Sequence, residues 1–534
     1  MNFFKTLLKP SLKTPLLLCA CVLALAVADT PPARAAETWL RLTSEHFDMF
    51  SCSSEQDSRK MLVQLEQFRV FFLGAMSGMT KGRVYDPRPL IFVFDTDAQY
   101  RSHGASLVMS RSIGMCMDGL FQPRILLSKQ HGLGVIFHEY THSLTAARLE
   151  GDLPPWFNEG LATVFETFKV SGDTVTFGAP DARRLRNVRQ DASLIPLGAL
   201  FAVGNLGGMP TYQVYSQSWL LMHYALCGRD NGVYNFGNMM RFLEKSTQPG
   251  AVTSKAFASV FGSGYKKLED ALDDYRHSGK LTAYTAEIPA APIEAKITAR
   301  PATAEERAIE LTGLHWRTYR ASDTVTDNEG NMLALMKRYP ENPRVYEILA
   351  EMQMPRLDQI QLRKPDKPAA AAYLRKAVAK NSTNPLVYIE LLKDINIDSI
   401  QPPDFVMPED MAAECTTLID RALKLAPDYM EAYEMLAIIE SQKPVMRLEK
   451  MNAVLKALPS MREPARTDLA VATAYWRLKR YDEAQAALND LIKNPNSTTE
   501  MQQRARDLQQ LIAKNPPNPP KSSVPSLGGR SPES

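Results

Sequence analysis

A chain of 534 residues that is 45% hydrophobic and 23% charged has the balance of a soluble globular protein, and its length is enough for about three domains. Its formal net charge is only +3 at pH 7, which leaves no electrostatic footprint of the kind that nucleic-acid-binding proteins carry. The composition therefore argues against a fibrous chain, a chain dominated by disorder and a nucleic-acid partner.

Residues 1–35 have the layout of a secretory signal peptide. Lysines in the first 13 residues precede the apolar run Leu16–Ala28, and the small residues of Ala33-Arg34-Ala35 offer a cleavage site. The apolar run is shorter than the ~20 residues of a spanning helix, which argues against a retained membrane anchor. Acylation of Cys19 or Cys21 in a lipoprotein is a second alternative, although the residues before them make a poor lipobox. We expect an exported protein, periplasmic or secreted, with no stable membrane span after cleavage.

Residues 36–285 predict one mixed α/β unit. Short alternating or wholly apolar runs predict its strands, and apolar residues at spacings of three and four predict its helices. In chain order the pattern gives a strand at His46–Ser51, a helix opened by Ser54, a buried strand at Pro89–Asp95, a hairpin of Ser112–Met117 with Arg124–Leu127, a helix from Ser128 to about Glu150, and a helix after Pro154-Pro155.

The last part of the chain, residues 304–514, is helical and quasi-repetitive. The segment Asn342–Ala350 recurs as Asn384–Leu392, with an Asn-Pro pair at the start of each copy. The stretch Ala470–Ala484 resembles the helix-turn-helix of tetratricopeptide repeats, so we expect an all-α helical-repeat C-terminal domain. Low-complexity segments on either side predict a linker at 286–303 and a disordered tail at 515–534.

The motif with the clearest chemistry is His138-Glu-Tyr-Thr-His142, which has the HExxH spacing of zinc metallopeptidases. On a helix, residues four apart lie on one face, so both imidazoles can reach a single zinc ion. Glu139 projects beside that face, where its carboxylate can accept a proton from a metal-bound water. Apolar neighbours such as Ile136 and Leu144 predict a helix half buried in a domain core. The alternative is a surface helix that carries two histidines by chance.

A catalytic zinc site needs three protein ligands and one open position. Glu159 is the best third ligand, since it lies about one turn into a helix that a short turn folds back against the first. Gly160 and Ala162 permit close helix contact. The alternative is an exposed carboxylate stabilised by the helix dipole. For a metal site we predict that the three ligand atoms converge within about 4 Å of one another, with one face open.

HExxH followed by Trp156-Phe-Asn-Glu159-Gly-Leu-Ala162 resembles the gluzincin clan of metallopeptidases, in particular the peptidase-MA-like families. The resemblance implies an α+β zincin-like N-terminal domain in which His138, His142 and Glu159 bind Zn2+. This chain departs from the pattern four residues after the third ligand, where thermolysin-like members often carry an acidic residue and Thr163 stands instead. The group that orients the ligand histidines is therefore left open.

The resemblance also implies a mechanism. Zinc would activate a water and polarise the scissile carbonyl, with Glu139 as general base. Tyr215 is the candidate to stabilise the oxyanion, because a tyrosine opens a comparable helix downstream in aminopeptidase-like gluzincins. His223 and Tyr224 on the same helix are alternatives, and a packing role for Tyr215 fits equally well. Gluzincins hold extended substrate along an antiparallel edge strand, for which Ile113–Met117 is the candidate.

Together these patterns predict an exported zinc-dependent peptidase whose partners are a peptide or protein substrate and a protein bound by the helical repeats. One alternative is a peptide-binding scaffold whose peptidase-like domain does not cleave. Another is a zinc hydrolase of a different amide, such as a cell-wall peptide crosslink.

Overall fold

The computed structural model describes residues 37–514 apart from 78–86, 105–113, 118, 147, 150–152, 192, 204–210, 249, 280, 319–321, 355–363, 396–401, 403, 462–464 and 495–496. An N-terminal region of mixed sheet and helix is followed by a predominantly helical C-terminal region. The predicted signal peptide at 1–35 and the predicted tail at 515–534 lie outside the described residues. Within the described residues, no helix combines the length and the apolar character needed to cross a bilayer.

The N-terminal region alternates short strands with helices. Its strands are β1 (Leu40–Thr43), β2 (Asp48–Ser51), β3 (Leu90–Phe94), β4 (Gly114–Met117), β5 (Arg124–Ser128), β6 (Lys169–Ser171), β7 (Thr174–Phe177), β8 (Tyr284–Glu287) and β9 (Thr298–Pro301). Its helices are α1 (Glu55–Ala75), α2 (Asp97–Gly104), α3 (Gly134–Ala146), α4 (Pro155–Phe165), α5 (Ala182–Gln190), α6 (Leu197–Phe201), α7 (Thr211–Cys227), α8 (Phe236–Ser246), α9 (Thr253–Phe261), α10 (Tyr265–His277) and α11 (Ala291–Glu294).

The main sheet has six strands in the order β4-β5-β3-β2-β1-β9. β3 pairs in parallel with β2 and with β5, and every residue of Leu90–Phe94 is buried. A strand covered on both faces requires a continuous apolar run, and this confirms the strand predicted at Pro89–Asp95. On one face, Phe68 of α1 stacks on Phe137 of α3 with ring centroids 4.6 Å apart, which joins these helices in one core.

The hairpin predicted before the metal motif is confirmed, since β4 and β5 pair antiparallel. Gly114 lies opposite Leu127, and Met117 lies opposite Arg124. β4 is the terminal strand of the sheet among the described residues, and Ile113, the first residue of the predicted edge strand, lies outside them.

The helix that carries the metal motif begins later than predicted. Ser128 accepts a hydrogen bond from the backbone N–H of Gln130 and so caps a separate 3-10 turn, Lys129–His131. Gly132 ends that turn with a φ of 72°, a conformation that favours glycine, and α3 starts at Gly134. The predicted capping serine is real, but it caps the turn that precedes the helix.

The segment predicted as a linker, 286–303, contributes ordered structure to both sheets. β8 pairs with β7 in the three-stranded sheet β6-β7-β8. β9 then pairs antiparallel with β1, with Leu40 opposite Pro301. Pro301 stands at the last position of a terminal strand, where the missing N–H costs no ladder bond. The chain therefore returns to the main sheet before it enters the C-terminal region.

The C-terminal region consists of consecutive helices that pack on one another. These are α12 (Ala304–Thr318), α13 (Ser322–Arg338), α14 (Pro343–Gln353), α15 (Lys367–Ala379), α16 (Pro385–Asp394), α17 (Glu409–Leu425), α18 (Met430–Gln442), α19 (Leu448–Ala457), α20 (Ala465–Arg477), α21 (Tyr481–Lys493) and α22 (Thr499–Lys514).

The recurring Asn-Pro pairs mark helix starts in this region. Asn342 accepts a hydrogen bond from the backbone N–H of Arg344, and Asn384 accepts one from the backbone N–H of Leu386. Each following proline occupies the first helical position, where its missing N–H is not needed. The repeat read in the sequence is thus a repeated capping arrangement.

Candidate metal centre

Helix α3 presents two histidines from a rigid support. Ile136, Phe137, Tyr140 and Leu144 are buried in the core of the N-terminal region, which fixes the helix by one face. His138 and His142 lie one turn apart at the half-buried border of that face. The sequence pattern therefore places both imidazoles side by side, as predicted.

Helix α4 brings the third donor. Pro155 opens the helix at a position where proline is favoured, and Glu159 follows about one turn later. Gly160 lets the helix press against α7: a Cβ there would stand 2.7 Å from the carbonyl oxygen of Ser218 and 2.6 Å from Cγ of Met222. The close contact of α4 with α7 sets the position of the Glu159 carboxylate relative to α3.

The three donors converge on one point. Nε2 of His138 and Nε2 of His142 are 3.2 Å apart. Oε2 of Glu159 lies 3.5 Å from the first nitrogen and 3.6 Å from the second. A tetrahedral zinc ion bonded to each donor at roughly 2.0–2.2 Å holds its donors about 3.3–3.6 Å apart. The spacing of the donor atoms fits that geometry, and it meets the separation of about 4 Å that we predicted for a metal site.

The carboxylate oxygen at this point has no hydrogen-bond partner among the described residues. Oε2 of Glu159 is buried, and its distances to the two imidazole nitrogens exceed those of a hydrogen bond. A buried acceptor without a partner costs free energy, which a cation bound between the three donors would remove. The donor set therefore fits a divalent metal.

The pKa values of the donor residues show that the site favours positive charge beside the carboxylates. Burial opposes ionisation of Glu159, but both histidines outweigh this effect and lower the pKa of Glu159 to about 2. Burial likewise disfavours the charged form of His138, yet the carboxylates of Glu159 and Glu166 raise the pKa of His138 to about 9. The two imidazoles and the carboxylate thus share protons at the atoms that would bind a metal ion, and metal binding would displace those protons.

Each imidazole also faces a polar side chain on its far side, at hydrogen-bond distance for His142 and at a longer distance for His138. Nδ1 of His142 donates to Oδ1 of Asn158 at 3.0 Å, so its Nε2 carries a lone pair directed at the donor cluster. Nδ1 of His138 lies 3.6 Å from Oε2 of Glu166, and Nη2 of Arg184 pairs with the same oxygen at 2.6 Å. A hydrogen bond such as that from His142 to Asn158 fixes the tautomer and orientation of a metal-binding histidine. At 3.6 Å, Glu166 acts on His138 chiefly through its charge.

The acidic group that faces the far nitrogen of His138, which the sequence left open, is Glu166. The hydroxyl of Thr163 donates to the carbonyl oxygens of Glu159 and Gly160 within its own helix, so Thr163 does not serve a histidine. Glu166 stands seven residues after Glu159, about two helical turns along the same face. That spacing is the sequence signal that indicates Glu166.

Glu139 and Tyr215 both act on this site electrostatically. The charge of Glu139 contributes to the raised pKa of His138. The pKa of Tyr215 is raised by burial first, then by the charge and hydrogen bonding of Glu159, and further by the charge of Glu139. Tyr215 therefore keeps its proton and lies beside the predicted third ligand.

The two alternatives to Tyr215 are engaged elsewhere. His223 is buried, with Nδ1 2.9 Å from the hydroxyl of Tyr275, and its Nε2 donates to the carbonyl oxygen of Gly178. The hydroxyl of Tyr224 donates to the carbonyl oxygen of Asp230. Of the three candidates on α7, Tyr215 is the one whose pKa is raised not only by burial but also by Glu159 and Glu139.

The candidate substrate strand, β4, lies against α3, the helix that carries the two histidines. A Cβ at Gly114 of β4 would stand 3.1 Å from Val135 and 3.2 Å from Ile136, both on α3. The terminal strand of the main sheet thus runs beside the helix that carries the histidines.

A second pair of histidines, which the sequence did not connect, lies between the two regions. Nδ1 of His103 is 3.2 Å from Nε2 of His315, and Nε2 of His103 pairs with Glu37 at 3.0 Å. Because the two histidines are 212 residues apart in the chain, no local pattern could reveal the contact.

Comparison of the sequence with protein-family models and with curated proteins gives no significant match. The function is therefore inferred from the donor cluster and its surroundings.

Proposed function

We propose that this chain is an exported zinc-dependent peptidase of the gluzincin type, with a zincin-like N-terminal domain followed by tetratricopeptide-like repeats. The observation that supports the proposal is the mutual spacing of 3.2–3.6 Å between one nitrogen of each histidine and one oxygen of Glu159. Two imidazoles and one carboxylate are the ligand set of a catalytic zinc site that keeps a fourth position open.

The proposed roles follow from the position of each group. His138, His142 and Glu159 would hold the zinc ion. When bound, zinc supplies a Lewis acid and lowers the pKa of a water molecule. Glu139 would take a proton from that water and later deliver it to the leaving amine. Tyr215, whose raised pKa keeps its hydroxyl protonated, would donate a hydrogen bond to the oxyanion.

A peptide is the substrate that best fits the surroundings of the cluster. β4 is a terminal strand that packs beside α3, and an extended peptide can pair with such an edge through its main chain. Recognition through the main chain suits peptide bonds in general. A cell-wall peptide crosslink or another amide would use the same chemistry and is separated from protein substrates by the choice of test substrate.

The peptide-binding scaffold is the competing function. An intact base and ligand set argue against it, and the influence of Glu159 on the pKa of Tyr215 supports a protonated hydroxyl near the ligands as the oxyanion donor. We therefore retain the non-cleaving scaffold only as the alternative that the following experiment can support.

The test combines metal content with turnover. We expect about one zinc ion per chain by elemental analysis and hydrolysis of a quenched peptide library. Glu139→Gln should retain the zinc and lose about 10²–10⁴-fold in kcat/KM, because it removes general base catalysis alone. Glu294→Gln, which changes an exposed carboxylate, is the matched control.

Three results would count against the proposal. A chain without zinc contradicts the metal centre itself. A chain with zinc but no hydrolysis of peptides, denatured protein or peptidoglycan fragments supports the scaffold. Equal turnover by wild type and Glu139→Gln removes the proposed base.

A further inference from the structure

The loop that joins β4 and β5 is embedded in the C-terminal region. We call its described residues, 119–123, the hairpin loop. Phe121 is only 2% exposed, and its side chain belongs to the hydrophobic core of the C-terminal helices rather than to that of the N-terminal region. A loop between two strands normally lies at the surface, so its burial requires partners for its backbone.

Glu351 of α14 supplies such a partner at both ends of the loop. Its Oε1 accepts a hydrogen bond from the backbone N–H of Leu120 at 2.8 Å, and its Oε2 pairs with Nη1 of Arg124 at 3.1 Å. Arg317 of α12 pairs with the same carboxylate. The side chains of Arg124, Arg317 and Glu351 are 1%, 2% and 3% exposed, which places these charges inside the protein.

The Asn-Pro caps of the repeats hold the loop as well. The side-chain amide of Asn384 caps α16 with its oxygen and donates from Nδ2 to the carbonyl oxygen of Phe121 at 3.0 Å. Arg344, which follows the Asn342 cap, donates from Nη2 to Oε1 of Gln122 at 2.9 Å. Two repeated helix starts are therefore used to fix one loop.

These contacts set the position of β4. Arg124 is the cross-strand partner of Met117, the last residue of β4, so the bond from Glu351 to Arg124 fixes that end of the strand. The other end, Gly114, packs on α3. A strand of four residues spans only about 10 Å between these two anchors.

We propose that the helical region positions β4 for the peptide substrate, with Glu351 and Asn384 as positioning residues that act through the hairpin loop. The inference rests on the proposed function for the role of β4 as the strand that receives the peptide. It assigns to the C-terminal helices a part in substrate alignment in addition to any partner that they bind.

Asn384→Asp is the most selective variant. Aspartate caps a helix as well as asparagine, so the bond from the backbone of Leu386 is kept while the donor to Phe121 is lost. Asn235→Asp is the matched control, because Asn235 also caps a helix and donates to a backbone carbonyl, that of Gly232, far from the loop in sequence and in an exposed position.

The full-length protein is measured in three ways: amide hydrogen exchange of residues 114–117, zinc content, and kcat and KM for a quenched peptide. For Asn384→Asp we expect exchange at 114–117 to be about fivefold faster and KM to rise about fivefold, as the loss of one hydrogen bond predicts. The zinc content and kcat should be unchanged, and Asn235→Asp should match the wild type in all three measurements.

A second variant, Phe121→Leu, keeps the loop apolar and reduces its fit in the helical core. The inference is overturned if both variants exchange and bind peptide as the wild type does, even if their thermal stability falls. If the wild type neither binds zinc nor cleaves peptide, the proposed function fails, while the exchange at 114–117 still decides whether the helical region positions β4.

Discussion

At the scale of single residues, the candidate metal centre depends on the groups around the three donors as much as on the donors themselves. Asn158 fixes the tautomer of His142, and Glu166 faces the far nitrogen of His138. Glu166 is in turn held by Arg184, whose backbone N–H is bound by the capping carboxylate of Asp181. Helix α5 thus supports a histidine on α3 through one carboxylate.

Replacing Glu166 should weaken metal binding without removing it. For Glu166→Gln we expect the affinity for zinc to fall about 10–100-fold, because the imidazole of His138 loses a negatively charged partner that orients it and raises its basicity. The measurement is competition with a chromogenic zinc chelator. Glu287→Gln, on the exposed strand β8, should bind zinc as the wild type does, and equal affinities of all three proteins would exclude the role given to Glu166.

The candidate donors were predictable from the sequence because the HExxH pattern depends only on the number of residues per turn of an α-helix. The structure brings His138, His142 and Glu159 together, as the helix periodicity and the short connection between α3 and α4 predict. Tyr215 could not be separated from its alternatives in the same way, since only the structure shows that His223 bonds to Tyr275 and that Tyr224 bonds to the backbone of Asp230. The sequence could therefore identify the candidate ligands but could not choose Tyr215 over the two alternatives on the same helix.

At the scale of elements, the contact between α4 and α7 determines the shape of the site. Gly160 lies at a tight contact between the two helices, and both carry candidate site residues, Glu159 on one and Tyr215 on the other. Any side chain at this position pushes the helices apart. The geometry of the carboxylate and the tyrosine hydroxyl thus depends on the absence of one methyl group.

Gly160→Ala should destabilise the protein despite the better helix propensity of alanine. The new Cβ would meet the backbone oxygen of Ser218, which cannot move aside as a flexible side chain does, and overpacking of this kind costs about 1–3 kcal/mol. Gly74→Ala is the matched control: it is also helical but has open space around its Cβ, so it should gain about 0.5–1 kcal/mol. Denaturant unfolding of the two variants should give opposite signs, and a neutral Gly160→Ala would contradict the tight contact.

Strands and helices could be predicted where a local sequence pattern marks them. The pairing between strands that are distant in the chain could not. The buried strand Leu90–Phe94 and the β4–β5 hairpin follow from apolar runs and a nearby turn. The pairing of β9 with β1 brings Leu40 opposite Pro301, from distant parts of the chain. The Pro- and Ala-rich sequence around β9 carries no periodicity that indicates a strand.

At the scale of the whole molecule, the N-terminal and C-terminal regions are joined by buried polar groups. Glu351 forms ion pairs with Arg124 of the N-terminal region and Arg317 of the C-terminal region. His103 of α2 lies at hydrogen-bond distance from His315 of α12. Burial and the neighbouring His103 lower the pKa of His315 from 6.5 to about 4. The junction therefore contains a histidine that is held neutral in the folded protein.

This histidine predicts a loss of stability in mild acid. Between pH 6.5 and pH 4 the unfolded chain binds a proton at His315 that the folded chain does not, so stability falls as the pH is lowered through this window. We expect the effect to be about 1–3 kcal/mol, and His315→Gln should remove most of it. Thermal unfolding at pH 7 and pH 5 measures it, with His277→Gln, an exposed histidine, as control. A variant at position 315 that loses as much stability in acid as the wild type would contradict the prediction.

The place of β9 decides where this molecule can be divided. β1 has β2 on one side and β9 on the other, although β9 lies beyond residue 285. A fragment that ends at 285 would expose the backbone donors and acceptors of Leu40–Thr43 along a bare edge, which is a template for pairing with a strand from another copy. The boundary of the N-terminal region therefore lies later in the chain than residue 285. A fragment that keeps the main sheet whole must extend to Pro301.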